Sequence, residues 1–240
     1  MNSYRKTAII VGVLFIAATV AGVLSLLFSA IRSDPNYLVS ISANETQVII
    51  ESLLMLIMGF AVAGIGITMF PVFKKHNEAL ALGYASFRII EGVLFIVSVV
   101  SLLSLLTLSQ EFVKAGAPDA SYFQTLGTLL QEENYWAYHM GTISFGLAAP
   151  IFYYLLYKSK LIPRWLSVWG LIGVPFWFTV SLLIMFGLDP SSPISTLLYL
   201  PIAVNEMVLA VWLIVKGFNS PAIASGSAKT DWTAPLWLDR

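Results

Sequence analysis

Hydrophobic residues run through this chain in six long blocks, at about 7–31, 46–73, 79–108, 135–157, 165–187 and 195–217. A helix needs about 20 apolar residues to cross the hydrocarbon core of a bilayer. Each block meets that length, and short polar connections separate them. The pattern predicts an all-α fold: a polytopic membrane bundle of about six transmembrane helices, with 1–218 as one transmembrane domain. The remaining stretch, 219–240, is rich in Ser, Ala and Thr and reads as a polar, disordered tail. The first block follows Arg5 and Lys6, as a signal peptide would. It runs about 25 residues, from Thr7 to Ile31. A signal h-region spans only about 7–15 residues and ends at an A-x-A-like site, which is missing here, so the block reads as the first membrane helix.

Composition agrees. Of 240 residues, 58% are hydrophobic and 11% charged, with a mean hydropathy of +0.83. Soluble domains carry about 25% charged residues. The formal net charge is zero, which argues against nucleic acid as a partner and leaves the lipid bilayer as the surroundings. With no cysteine in the chain, disulfides, thiolate metal sites and a cysteine nucleophile are excluded.

Charge then sets direction. Arg5, Lys6, Lys74, Lys75, Lys158, Lys160, Arg164, Lys216 and Lys229 fall in one set of connections, and only Arg32 and Lys114 in the other. The positive-inside rule places the first set, and hence both termini, in the cytoplasm. Tyr157, Trp165 and Trp169 mark the inner boundary, and Tyr135 and Trp136 the outer one. In the long outer connection, Asp119 or Ser121 caps a helix start, and Tyr122, Leu126, Leu129 and Leu130 share a face. A short, separate helix resting at the outer surface is expected there. Within the blocks, Gly59, Ala63, Gly64 and Gly66, and Gly141, Ser144, Gly146, Ala148 and Ala149, have the small-residue spacing of close helix contacts. Pro150, Pro175 and Pro201 each remove a backbone donor and predict kinks.

Five ionisable residues interrupt the apolar blocks: Glu51, Arg88, Glu91, His139 and Glu206. Insertion scales charge about 2.5–3.5 kcal/mol for an acidic or Arg side chain at the centre of a lone helix. Such groups therefore face the bundle interior, a wet cavity or each other. Arg88 and Glu91 are neighbours on one helix at a spacing of three, with Tyr84 one turn away. Glu91 and Glu206 fall near the midplane, and Glu51 and His139 about 7 Å below the outer boundary by the helical rise. The expected core is Arg88 bridging Glu91 and Glu206 through its fork of donors. Glu51 and His139 extend it outward, with Glu51 the wettest. One arginine faces three glutamates, so a proton or water has to balance the excess charge. A structural role as interhelical glue remains open beside a ligand site.

Enzyme motifs do not displace that reading. A zinc centre normally uses more than one histidine, and only His139 reaches the constellation, so no metal is expected. No G-x-S-x-G, P-loop or dinucleotide fingerprint occurs, and no cofactor is expected.

Four stretches, "RKTAIIVGVLFIAATVAGVLS", "SFRIIEGVLF", "YYLLYKSKLIPRWLSVWGLIG" and "NEMVLAVWLIVKGF", resemble the domain of unknown function 4386 family of bacterial multi-pass membrane proteins. The resemblance covers nearly the whole chain to about Phe218. It implies a bacterial inner-membrane protein and carries no activity. Arg88, Glu91 and Glu206 lie inside the matching stretches. The family pattern favours an acidic residue one turn after Glu51, where this chain has Met55, and does not require His139. The resemblance thus bears on the Arg88–Glu91–Glu206 core more than on the outer pair. The functional expectation is a membrane protein that binds or transports a small polar, anionic or lipid-like ligand. The alternatives are an intramembrane enzyme acting on a lipid or isoprenoid, and a structural or regulatory membrane subunit.

Overall fold

The computed structural model describes residues 3–117 and 121–219. Those residues form α1 (Ser3–Leu26), a 3-10 turn (Ser29–Ser33), α2 (Tyr37–Ala43), α3 (Glu45–Lys74), α4 (Glu78–Lys114), α5 (Ser121–Ser159), α6 (Arg164–Met185) and α7 (Pro193–Val215). Six of the helices, all but α2, are long and apolar enough to cross a membrane. The fold is all-α, and the protein is a multi-pass membrane protein. The distribution of exposure says the same in physical terms. Phe60, Ile67 and Val211 are 64%, 59% and 54% exposed, while Arg88 and Glu91 are 3% and 4% exposed. Water would reverse that preference; lipid does not.

Two elements differ from the pattern. The separate outer helix is absent: residues 121–133 are the opening turns of a continuous α5. The stretch Gln131-Glu132-Glu133-Asn134 marks where apolar residues stop, but it contains good helix formers and no Gly or Pro, so the helix has no reason to break. Its buried face is also shifted. Phe123 and Gly127 are buried, whereas Tyr122, Leu126 and Leu129 are exposed. Asp119 and the tail beyond Asn219 lie outside the described residues. The second difference is α2. The Asp34 carboxylate accepts from the Asn36 N–H at 2.8 Å and the Ser40 hydroxyl at 2.5 Å, closing a turn that starts this short helix. The Ser40 hydroxyl, then the Asn36 N–H, hold this exposed carboxyl below the usual range.

The chain divides into two compact units. The first comprises Met1–Ile16, Gly64–Ile89 and Ile143–Arg240. Its centre is aromatic: Tyr84 stacks on Phe152 at 5.1 Å, and Phe73 meets both edge-on at 5.6 Å. Arg5 donates to the last carbonyls of α7, at 3.1 Å to Leu213, 2.6 Å to Ile214 and 3.2 Å to Val215. These carbonyls have no intrahelical donor, so the guanidinium closes the helix end. Asn205 on α7 donates to the Leu166 carbonyl of α6 at 3.1 Å.

The second unit comprises Ala17–Ala63 and Ile90–Thr142. Leu38 and Ile41 of α2 pack with Leu102, Leu105 and Phe112 of α4 and Phe123 of α5. Asn134 of α5 donates to the Ser98 carbonyl of α4 at 2.7 Å. Lower in the unit α3 and α4 touch backbone to backbone. A Cβ at Gly92 would stand 2.6 Å from the Gly59 carbonyl oxygen and 3.1 Å from the Ala63 Cβ. Gly92→Ala is therefore expected to lower unfolding stability in detergent by about 1–3 kcal/mol, as overpacking does. Gly83→Ala supplies the control: its Cβ meets only the Ile151 Cδ1 at 3.6 Å. That variant is expected to gain about 0.5–1 kcal/mol from removing a glycine inside a helix. Equal effects of the two would contradict close α3–α4 packing.

Candidate functional site

The first unit holds a polar cluster in an apolar setting. Tyr84 and Arg88 lie one turn apart on α4, so both side chains leave the same face. The stem of Arg88 is pinned from α3, where a Cβ on Gly66 would stand 2.7 Å from the Arg88 Cβ. Its guanidinium lies over the Phe145 ring of α5, 5.4 Å from the centroid. A desolvated cation over a ring face gains about 2 kcal/mol. The neighbouring Phe87 carbonyl accepts from the Ser144 hydroxyl at 2.7 Å, which fixes α5 against α4 at this level.

Glu206 comes from α7 and Tyr153 from α5. Phe15, Tyr84, Arg88, Phe145, Ala149, Phe152, Tyr153 and Glu206 together line one small cavity, of about 10 Å³. That is room for about one water molecule. Glu206 is half-buried, whereas Arg88 and Tyr153 are 3% and 1% exposed. The Tyr153 ring rests directly on Gly170 of α6, where any side chain would collide with it. Its hydroxyl is buried and, among the described residues, has no hydrogen-bond partner. A buried hydroxyl left unsatisfied costs about 1–3 kcal/mol, so this orphan donor beside a water-sized cavity is a functional pointer.

Of the residues expected from the sequence, Arg88 and Glu206 meet at this cavity. Glu51, Glu91 and His139 belong to the second unit. Glu91 is 4% exposed there. Glu51 is not the wet group that its shallow depth suggested. It is 5% exposed and accepts from Arg32 at 2.5 Å. Arg32 stands just past the first block, but its long side chain can turn back to the Glu51 carboxylate. His139 is 4% exposed and sits among the rings of Tyr135, Tyr138 and Trp136, at centroid distances of 4.3, 5.5 and 6.4 Å. Its Nδ1 is buried and, among the described residues, has no hydrogen-bond partner. Among the described residues no three His, Asp or Glu side chains converge as metal ligands would.

Sequence reasoning missed Arg32 and Tyr153. Arg32 carried a signal, because the depth estimate applied to Glu51 applies equally to a cation about one residue past the first block. Tyr153 carried none, since a tyrosine in an apolar helix is ordinary until its neighbours are known.

Residues 10–217 match the family model described as "Domain of unknown function (DUF4386)". The chain belongs to the DUF4386 family. No curated protein and no solved structure matches it. For this DUF4386 protein the matched stretch contains Arg32, Glu51, Arg88, Glu91, His139, Tyr153 and Glu206, so these polar groups all lie inside the family domain. Arg5, which closes the end of α7, lies before it. What the cluster does has to come from its own chemistry.

Proposed function

We propose that this DUF4386 protein binds, and carries across a bacterial inner membrane, a small polar or anionic molecule or the head of an amphiphile. The seat is the Arg88–Glu206 cavity, with both termini in the cytoplasm. The observation that carries the reading is a buried guanidinium beside Glu206 and the orphan hydroxyl of Tyr153, all lining one cavity. Arg88 supplies the paired donors that recognise a carboxylate or phosphate. Glu206 and an anionic ligand compete for those donors, and Glu206 exchanges a proton as the two trade places. Phe15, Phe145 and Phe152 give the cavity apolar walls that suit an attached hydrocarbon chain. A cavity of about 10 Å³ must widen to admit such a ligand. Pro150, Pro175 and Pro201 lie inside α5, α6 and α7, where each removes a backbone hydrogen bond and lets its helix bend.

The competition predicts an unusual result for Glu206→Gln. Removing the rival carboxylate is expected to tighten anion binding by about tenfold, corresponding to roughly 1.4 kcal/mol. It is also expected to abolish accumulation driven by a proton gradient. Thermal-shift binding and uptake into proteoliposomes, across carboxylates, phosphates and single-chain amphiphiles, measure the two effects. No difference between wild type and Glu206→Gln for any of these solutes would overturn the proposal.

A further inference from the structure

One end of the first unit gathers four separate stretches of chain, and contacts rather than hydropathy show it. Lys75, just past α3, lies over the ring of Tyr4 in α1 at 5.1 Å. Arg5 of α1 holds the last carbonyls of α7. Beyond α7, Asn219 donates from its backbone N–H to the Leu161 carbonyl at 2.8 Å and from its side chain to the Lys160 carbonyl at 2.7 Å, in the α5–α6 turn. The start of α1, the end of α3, the α5–α6 turn and the end of α7 therefore meet.

This end is basic. Lys6, Lys74, Lys75, Lys158, Lys160, Arg164 and Lys216 are all exposed. Among the described residues the acid near these cations is Glu78, which Lys74 already engages at 2.9 Å. Four of the cations are planted on aromatic rings: Lys74 on Phe70 at 5.9 Å, Lys75 on Tyr4 at 5.1 Å, Lys158 on Tyr154 at 5.9 Å and Arg164 on Tyr157 at 5.1 Å. Beside Arg164, Trp165 stacks with Trp169 at 6.4 Å and is 54% exposed. Aromatic rings with a polar tip settle at the headgroup level of a bilayer. Cations resting on the tyrosine rings, Lys75, Lys158 and Arg164, are held at the same level, where lipid phosphates lie.

The geometry points to a binding surface for anionic phospholipid headgroups at this end, centred on the α5–α6 turn. Lys158, Lys160 and Arg164 supply the charge there, and Tyr154, Tyr157 and Trp165 supply the interfacial rings. The inference is independent of the Arg88–Glu206 cavity. Three cations and a ring shelf within one turn fit a phosphate-bearing headgroup whose acyl chains continue down the exposed apolar flank of α6, at Val168 and Ile172. Each basic residue near an anionic surface strengthens attraction by roughly fivefold.

The test uses the full chain in micelles containing phosphatidylglycerol and phosphatidylcholine in equal parts, followed by native mass spectrometry of retained lipid. Phosphatidylglycerol is expected to be enriched at least about tenfold among bound lipids, as several such cations together would produce. The enrichment should fall as salt is raised before extraction. It should be lost in Lys158→Gln/Lys160→Gln/Arg164→Gln and kept in Lys158→Arg/Lys160→Arg. Equal retention of the two lipids overturns the inference, as does enrichment that survives the glutamine variant. If that variant does not fold, the salt series on wild type decides, and salt-insensitive enrichment counts against it. An acidic protein that co-purifies in fixed ratio and displaces the lipid would also overturn it.

Discussion

Arg32→Met, with Glu51 left in place, is expected to lower unfolding stability in detergent by about 3–5 kcal/mol, the loss typical when one partner of a buried ion pair is removed. The two partners are not equivalent. The Arg32 side chain is 21% exposed and that of Glu51 only 6%. Losing the arginine strands a carboxylate in the interior, whereas losing the carboxylate leaves a long cation that can reach water. Glu51→Met should therefore cost clearly less than Arg32→Met. The double variant Arg32→Met/Glu51→Met should recover most of the loss, because apolar replacement of a whole buried pair is often neutral. Unfolding curves of the three variants against wild type, by heat or denaturant, decide it. If both single variants lose less than about 1 kcal/mol, the pair behaves like a surface bridge and its burial does not matter to stability.

This pair also shows what could be read from the chain. Six crossings were legible because the bilayer imposes a length of about 20 apolar residues, and each block meets it. Helix ends were less so. The polarity at Gln131–Asn134 marks where apolar surface stops, but the backbone of α5 continues back to Ser121. The helix α2 has seven residues, too few for a repeat to show, and it rests on the turn around Asp34. In the same way, Arg88 and Glu206 stood out because a charge inside an apolar block is costly wherever it points. Arg32 looked like a loop charge, and only three-dimensional reach connects it to Glu51. Tyr153 carries no signal of its own in the sequence. Its hydroxyl acquires meaning from Gly170, which seats the ring, and from the cavity it shares with Arg88 and Glu206. Cost per residue is written in a sequence; complementarity between residues far apart in the chain is not.

Arg88 should give the other large effect, and its variants can separate folding from function. Arg88→Met removes a guanidinium that is 3% exposed, wedged against Gly66 and lying over Phe145. Loss of about 2–3 kcal/mol is expected, from the lost ring contact and from leaving Glu206 at the cavity without a cation beside it. Arg88→Lys should recover part of the stability, because the charge remains. It should not recover ligand recognition, because an ammonium lacks the planar fork that pairs with a carboxylate or phosphate. Adding Glu206→Gln to Arg88→Met should return stability by a coupling of about 1–3 kcal/mol, the range for groups in one network. Strict additivity of the two would mean that Arg88 and Glu206 do not act as a pair. The decisive comparison is between that double variant and wild type. A bundle in which the cluster serves only as interhelical glue would regain both stability and any measured transport once the charges are removed together. A ligand site built on Arg88 regains the first and not the second.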